Sequence, residues 1–188
     1  MRDLEFLKTA FRDYAQVGAL VPSSRYVAER IVGCLSPADR FIVEYGAGDG
    51  VITRTLLPKL PAEGRVVAVE IKHELVAELE RINDPRLRVI HDDARNVSCQ
   101  LSQLDLPQID AVICGIPLST RALVDRGIRA MQREIIANSA SALAPGGRFI
   151  LYQHTFVAIP TLKKFFSRVE WRFEPRNFLP YLIMVAKK

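Results

Sequence analysis

Cysteine is scarce in this chain: three among 188 residues, at positions 34, 99 and 114, odd in number and far apart. No C-x-x-C pair is present to hold zinc, so the thiols read as reduced and no metal site is expected. Cys114 fits an apolar strand end as a small hydrophobe, and no neighbouring His is there to activate it as a nucleophile. No apolar run approaches the ~20 residues that cross a bilayer as a helix. The opening MRDLEFLKTAFRDYA carries charges where a secretory leader needs an unbroken apolar stretch, so the protein is expected to remain in the cytoplasm. Repeats and low-complexity segments are also missing, which leaves a globular chain.

What is present is enough for one full core. Hydrophobic residues make up 49% of the chain, and nothing demands a second domain, so residues 1–188 are expected to fold as one unit. The short apolar runs FIVEY (41–45), RVVAVE (65–70), LRVIH (87–91), DAVIC (110–114) and RFILY (148–152) alternate with helix-length or loop segments. That alternation predicts a parallel sheet wrapped by helices. VEWRF (169–173) and YLIMVA (181–186) follow with no helix-length segment between them, which predicts a closing antiparallel hairpin. Pro145-Gly146-Gly147 predicts the turn between a long helix over 121–143 and the next strand.

Charge divides the chain. Residues 1–118 hold 14 Lys and Arg against 17 Asp and Glu, whereas residues 119–188 hold 12 against 4. Arg126, Arg129 and Arg133 fall at helical spacing, and Lys163, Lys164, Arg168, Arg172 and Arg176 follow. Two readings stand side by side here, a solvated surface and a face for an anionic lipid or nucleic acid, and charge alone does not choose.

The chemistry is concentrated in VEYGAGDGV, Val43 to Val51, at the end of the first predicted strand. Gly46, Gly48 and Gly50 let the backbone turn tightly and approach a ligand before a helix begins. The dinucleotide fingerprint needs Gly or Ala where Val51 stands, and the G-K-[ST] of a phosphate loop is missing. Twenty residues beyond Gly50 the second strand ends in Glu70, an acid able to accept two hydrogen bonds from a diol. Asp92, Asp93 and Ala94 follow the third strand. Each acid also has a plainer role open to it, as a helix cap or a partner of a helix dipole.

Glu44-Tyr45-Gly46-Ala47-Gly48-Asp49-Gly50 resembles motif I of the class I S-adenosylmethionine-dependent methyltransferases. The resemblance implies a Rossmann-like α/β fold, a mostly parallel seven-stranded sheet with helices on both faces and a C-terminal antiparallel hairpin. It implies S-adenosyl-L-methionine as cofactor, with Glu70 on the ribose hydroxyls and Asp93 with Ala94 at the adenine amino group. Glu44, Tyr45, Gly46, Ala47, Gly48, Gly50, Ile71 and Cys114 complete the expected cofactor site. Asp49 is either a contact to the methionine end or an N-cap.

In methyltransferases of that class acting on a nucleobase amine, the fourth strand ends in a polar residue followed by prolines and an aromatic. Here Cys114 and Leu118 occupy those places in CGIPLST, so a flat base has little to stack on. An amine on an apolar carrier fits better, held by backbone carbonyls while methylenes pack on Ile116 and Leu118. VGALVPSSRYVAERIV (17–32), VEYGAGDGVITRTLL, CGIPLST and RNFLPYLIMVA together resemble the bacterial phospholipid N-methyltransferases. That resemblance implies methylation of phosphatidylethanolamine toward phosphatidylcholine at the inner face of the membrane, with an anionic lipid surface as partner. An ornithine lipid or other aminolipid is an alternative substrate. So is RNA, since the layout is also similar to rRNA adenine dimethyltransferases, although no added RNA-binding domain is expected from these 188 residues. Gly115, Ile116, Pro117 and Leu118 are the expected amine site, with Tyr14 or Tyr26, or else Tyr152 or Tyr181, as orienting hydroxyl. His154 is weighed as a general base against an ordinary surface role, and Ser23, Ser24 and Arg25 as phosphate contacts against a helix cap. Residues 1–32 are expected to form a helical lid or membrane-contact segment before a core over 40–188, with Leu4, Leu7, Phe11 and Tyr14 on one helix face.

Overall fold

A computed structural model describes residues 23–104, 106–116 and 125–188. The elements run α1 (Arg25–Val32), β1 (Phe41–Tyr45), α2 (Val51–Leu56), β2 (Arg65–Glu70), α3 (His73–Glu80), β3 (Leu87–His91), α4 (Ala94–Cys99) and β4 (Ile109–Cys114). They continue with α5 (Arg126–Ala142), β5 (Leu143–Gln153), α6 (Ile159–Phe165), β6 (Arg168–Glu174) and β7 (Tyr181–Lys187). One seven-stranded sheet has the order β3-β2-β1-β4-β5-β7-β6. The first five strands are parallel and β7 runs antiparallel to both β5 and β6. This is the expected class I methyltransferase architecture.

Two apolar layers cover the sheet because alternate side chains of each strand point to opposite faces. Val43, Tyr45, Val67, Val69, Val112, Cys114, Phe149, Leu151 and Met184 form one layer with Ile135, Ile136 and Leu162 from α5 and α6. Ile42, Val66, Ala111, Ile113, Ile150 and Ile183 form the other with Val27 and Ile31 of α1 and Ile52 and Leu56 of α2. Burial on both faces is why β1, β2 and β4 read as near-continuous apolar runs.

Helix α1 starts at Ser24, whose hydroxyl accepts from the Val27 amide at 3.3 Å and donates to the Arg176 carbonyl at 2.6 Å. Burying Val27 and Ile31 contributes about 1.5–3 kcal/mol each, against about 1 kcal/mol for the cap. Packing therefore holds the helix, and the cap sets where it begins. The Asn177 side chain accepts from the Ser24 amide at 2.8 Å, tying the loop before β7 to this helix.

Two boundaries differ from expectation. Helix α5 gives way directly to β5 at Leu143, and the strand pairs Leu143 with Ile109 before the register shifts to Arg148 opposite Ala111. Pro145-Gly146-Gly147 is thus an interruption inside a strand, with Gly146 at φ 77°, because pairing with β4 resumes on its far side. The expected helix over 121–143 is observed from Arg126 to Ala142, and 121–124 lie outside the described residues. So does the N-terminal segment 1–22.

Candidate active site

The glycine loop leaves β1 at its carboxyl end, beside the point where the sheet order turns from β1 to β4. In open α/β sheets ligands bind in the crevice at such a point. Gly46, Gly48 and Gly50 have φ of 69°, 60° and 80°, a region costly for any residue with a Cβ. The Gly46 and Ala47 amides both donate to the Val69 carbonyl, at 2.8 and 3.2 Å, which folds the loop over β2. A Cβ on Gly50 would lie 2.9 Å from Leu79 Cδ2, whereas one on Gly48 would meet nothing within 4 Å. Gly50 is constrained by packing as well as conformation. At Gly48 conformation alone demands glycine, and the space beyond it is open.

Glu70, the last residue of β2, fixes this loop. One carboxylate oxygen accepts from the Gly48 amide at 2.9 Å, and the other accepts from the Ile71 and Lys72 amides, each at 3.0 Å. Ile71 itself is exposed, and Ala47 and Ala94 are buried. Strand β3 is laced to the end of β2 through the Asp92 amide, which donates to the Glu70 carbonyl at 3.2 Å. Asp93 then caps α4, accepting from the Arg95 amide at 2.8 Å and pairing with the Arg95 guanidinium at 2.6 Å. That guanidinium holds the Asp93 carboxyl below the usual range.

Glu44 is the one acid buried inside β1. Its carboxylate accepts a 2.6 Å hydrogen bond from the Thr53 hydroxyl of α2, and its other oxygen has no partner among the described residues. Burial, partly countered by Thr53 and reinforced by Asp49 and Glu70, pushes its pKa up to about 7. Tyr45 points the opposite way, into the α5 layer, and meets the site only through its carbonyl, which accepts from the Gly115 amide at 2.9 Å.

The turn after β4 closes the crevice. The Cys114 side chain is wholly buried in the core, where desolvation pushes its thiol up to about 12, so only its backbone borders the site. Ile116 lies against the glycine loop: a Cβ on Gly46 would be 3.1 Å from its Cγ1. Gly115 is required by Tyr152, whose hydroxyl would sit 2.0 Å from a Cβ at that position. Burial with the nearby Glu44 charge raises the pKa of that hydroxyl well above the usual 10. Gln153 donates to the Ile116 carbonyl at 2.6 Å and holds the turn from β5. His154 accepts the company of Tyr181, stacked at 4.2 Å, and its Nδ1 bonds the Pro180 carbonyl at 2.8 Å.

The described structure thus brings together the glycine loop, Glu44, Glu70, Asp93, Gly115 and Ile116 at the carboxyl ends of adjacent strands. Tyr26 is half-exposed beneath the guanidiniums of Arg176 and Arg25, whose carbons lie 4.7 and 5.6 Å from its ring centre, and no contact among the described residues brings it to the Gly115 turn. Tyr14, Pro117 and Leu118 lie outside the described residues. Thr53 and Gln153 belong to the site without having been singled out from sequence. The signal for Gln153 was a polar residue ending the apolar run RFILY; for Thr53 it was a hydroxyl one helical turn past the last glycine.

The family model Methyltransferase small domain matches residues 26–180. The chain is 28% identical over 179 residues to an ornithine lipid N-methyltransferase of Singulisphaera acidiphila, covering 93% of this chain and 90% of that protein. Among solved structures it is similar to the N-methyltransferase NodS of Bradyrhizobium japonicum, with a TM-score of 0.63 and 16% identity over 87% of this chain and 96% of that one. It is likewise similar to precorrin-6y C5,15-methyltransferase of Geobacter metallireducens, with a TM-score of 0.62 and 18% identity over 87% and 88%.

Proposed function

The chain belongs to the methyltransferase small domain family, a group that uses S-adenosyl-L-methionine, and we propose that it methylates the amine of a membrane aminolipid, an ornithine lipid ahead of phosphatidylethanolamine. The residues present fit the cofactor: the open space beyond Gly48 admits a ligand against bare backbone, and the acids Glu70 and Asp93 close the ends of β2 and β3. On this reading Gly46 to Gly50 and Glu44 cradle the methionine end, Glu70 and Ile71 meet the ribose, and Asp93 with Ala94 meets the adenine. What the bound cofactor supplies is an electrophilic methyl carbon.

The chain's own work is to hold a neutral amine in line and strip it of water. The observation that carries the acceptor class is the turn at Cys114–Ile116. Its only polar groups are backbone ones, since Cys114 turns into the core and Ile116 is apolar. A carbonyl oxygen has two lone pairs, and Gln153 uses one on Ile116, so the turn keeps acceptors for the N–H groups of a neutral amine, leaving its lone pair free to attack. A purine or pyrimidine amine would need a side-chain grip and a stacking ring. Tyr152, protonated at neutral pH, can donate to or accept from the incoming group at the Gly115 wall. The relative from Singulisphaera acidiphila, matched along nearly its whole length, supports an ornithine lipid as the first substrate to try.

Methyl-labelled S-adenosylmethionine is supplied with detergent-dispersed ornithine lipid or phosphatidylethanolamine, followed by organic extraction. Label should enter the lipid phase, more with ornithine lipid, and Glu70→Ala should abolish it. Donor binding with no label in either lipid, and label in RNA instead, would overturn the proposal.

A further inference from the structure

Aromatic side chains are mostly withdrawn from water in a folded domain, so an exposed group of them marks a surface used for contact. Strand β6 is an edge of the sheet, and its side chains alternate: Glu170, Arg172 and Glu174 face the α1 side, while Val169, Trp171 and Phe173 face the α6 side. Val169 packs on the core, but Trp171 and Phe173 are 54% and 51% exposed. Phe156, from the loop after β5, is 46% exposed and meets Trp171 edge to face with ring centres 5.0 Å apart. Phe156 and Trp171 thus touch, and Phe173 follows two residues along β6 on the same face.

Its position relates it to chemistry. Phe173 pairs with Leu182 of β7, and Leu182 pairs with Gln153 of β5. Two strand spacings, roughly 10 Å, therefore separate Phe173 from the residue that holds the Ile116 carbonyl of the acceptor turn. The surroundings are basic. Lys163 and Lys164 end α6, Arg168 begins β6, and Arg172 follows on its other face; Lys163, Lys164 and Arg172 form no ion pair among the described residues.

We propose that Phe156, Trp171 and Phe173 form a surface that docks the enzyme on an anionic lipid bilayer, delivering the head group to the acceptor turn. This rests on the aminolipid reading of the site. Aromatic rings on the α6 side of an edge strand, with Lys163 and Lys164 in the last turn of that helix, suit the interfacial layer of such a membrane, where rings lie at head-group depth and basic chains reach phosphates. A second copy of the chain would set like charges against each other. The edge-to-face pair, at 77° between planes, offers no parallel platform for stacked bases.

Trp171 is the only tryptophan of the chain, so its emission reports this surface alone. Full-length protein is titrated, without methyl donor, with vesicles of phosphatidylglycerol in phosphatidylcholine. The emission should shift to shorter wavelength and be quenched when the lipid tails carry bromine. Losing one docked phenyl weakens partition roughly ten- to a hundredfold, so Phe173→Asp or Phe156→Asp should bind vesicles at least about tenfold more weakly while binding S-adenosylmethionine normally. Vesicle binding with Trp171 emission and quenching unchanged would overturn the proposal, as would a lipid-independent blue shift that grows with protein concentration or one produced by RNA alone. Detergent-dispersed aminolipid separates the two readings. Phe173→Asp should keep its turnover there and lose it on vesicles; docking without methylation in either form would instead sink the substrate assignment.

Discussion

Glu44 should make this protein less stable as the pH rises toward neutrality. Its carboxyl ordinarily titrates at 4.5, and in the folded chain at about 7. Below pH 4.5 both folded and unfolded forms carry the proton and nothing is lost. Between 4.5 and 7 the unfolded chain has ionised while the folded one has not, so the folded state binds more protons and stability falls with pH. Above 7 both are ionised and the deficit is constant. At about 1.4 kcal/mol per pH unit of displacement, the loss across that window is roughly 3 kcal/mol. Glu44→Gln resembles the protonated acid: its amide oxygen can still accept from Thr53, and it cannot ionise. Urea unfolding of both proteins without ligand, at pH 5, 6, 7 and 8, isolates Glu44 because every other group cancels in the difference. The advantage of the variant over the parent should grow from about 1 kcal/mol at pH 5 to roughly 3 kcal/mol at pH 8, while it binds S-adenosylmethionine more weakly. A difference that does not change with pH would refute the reasoning.

Gly115→Ala should destabilise the chain by about 1–3 kcal/mol and reduce turnover, because the new methyl displaces the Tyr152 hydroxyl; Tyr152→Phe in the same chain should restore part of the thermal stability, since the ring carbon at 2.6 Å remains in the way. Gln153→Leu takes the side-chain donor from the Ile116 carbonyl, so steady-state kinetics should show a raised KM for the aminolipid with an unchanged Kd for the methyl donor measured by calorimetry. Glu70→Ala strips three backbone amides of a charged acceptor, each worth about 1.5–3 kcal/mol, and calorimetry should show donor binding lost together with a lower thermal midpoint.

The fold was legible because its signals are local. Strands such as FIVEY and RVVAVE declare themselves in five or six residues, and the three glycines of the loop stand where positive φ is needed. Glu70 was singled out by its spacing from the loop, and its observed bonds run to backbone amides. Asp93 carries the capping role that was weighed as its alternative, and Arg95, two residues on, was the sequence sign of it. What stayed illegible is long-range. Tyr152 against Gly115 joins residues 37 apart, as does Gln153 with Ile116, and no local pattern encodes which strand end meets which turn. The charge of Glu44 reads as a ligand contact in sequence; its burial and half-satisfied carboxylate exist only once β1 is covered on both faces. The Pro145-Gly146-Gly147 signal was real at the level of backbone conformation, but pairing of Leu143 with Ile109 carried the strand back past it.

On the proposed reading the sheet order also separates the two substrates. The residues proposed for the donor end β1, β2 and β3 at one side, the aromatic surface lies on β6 at the other, and the proposed acceptor turn after β4 stands between them beside β5. Donor would then arrive from water while the head group arrives from a bilayer, with neither route crossing the other. A reaction of that kind depends on how often a docked enzyme meets a substrate head group in the plane of the membrane. At fixed bulk aminolipid and fixed anionic fraction, diluting the aminolipid within vesicles by neutral lipid should therefore lower the rate, while the Kd for S-adenosylmethionine stays constant. A rate that follows bulk concentration alone would mean that the head group is captured as a dispersed molecule, and that the basic aromatic edge has no part in delivering it.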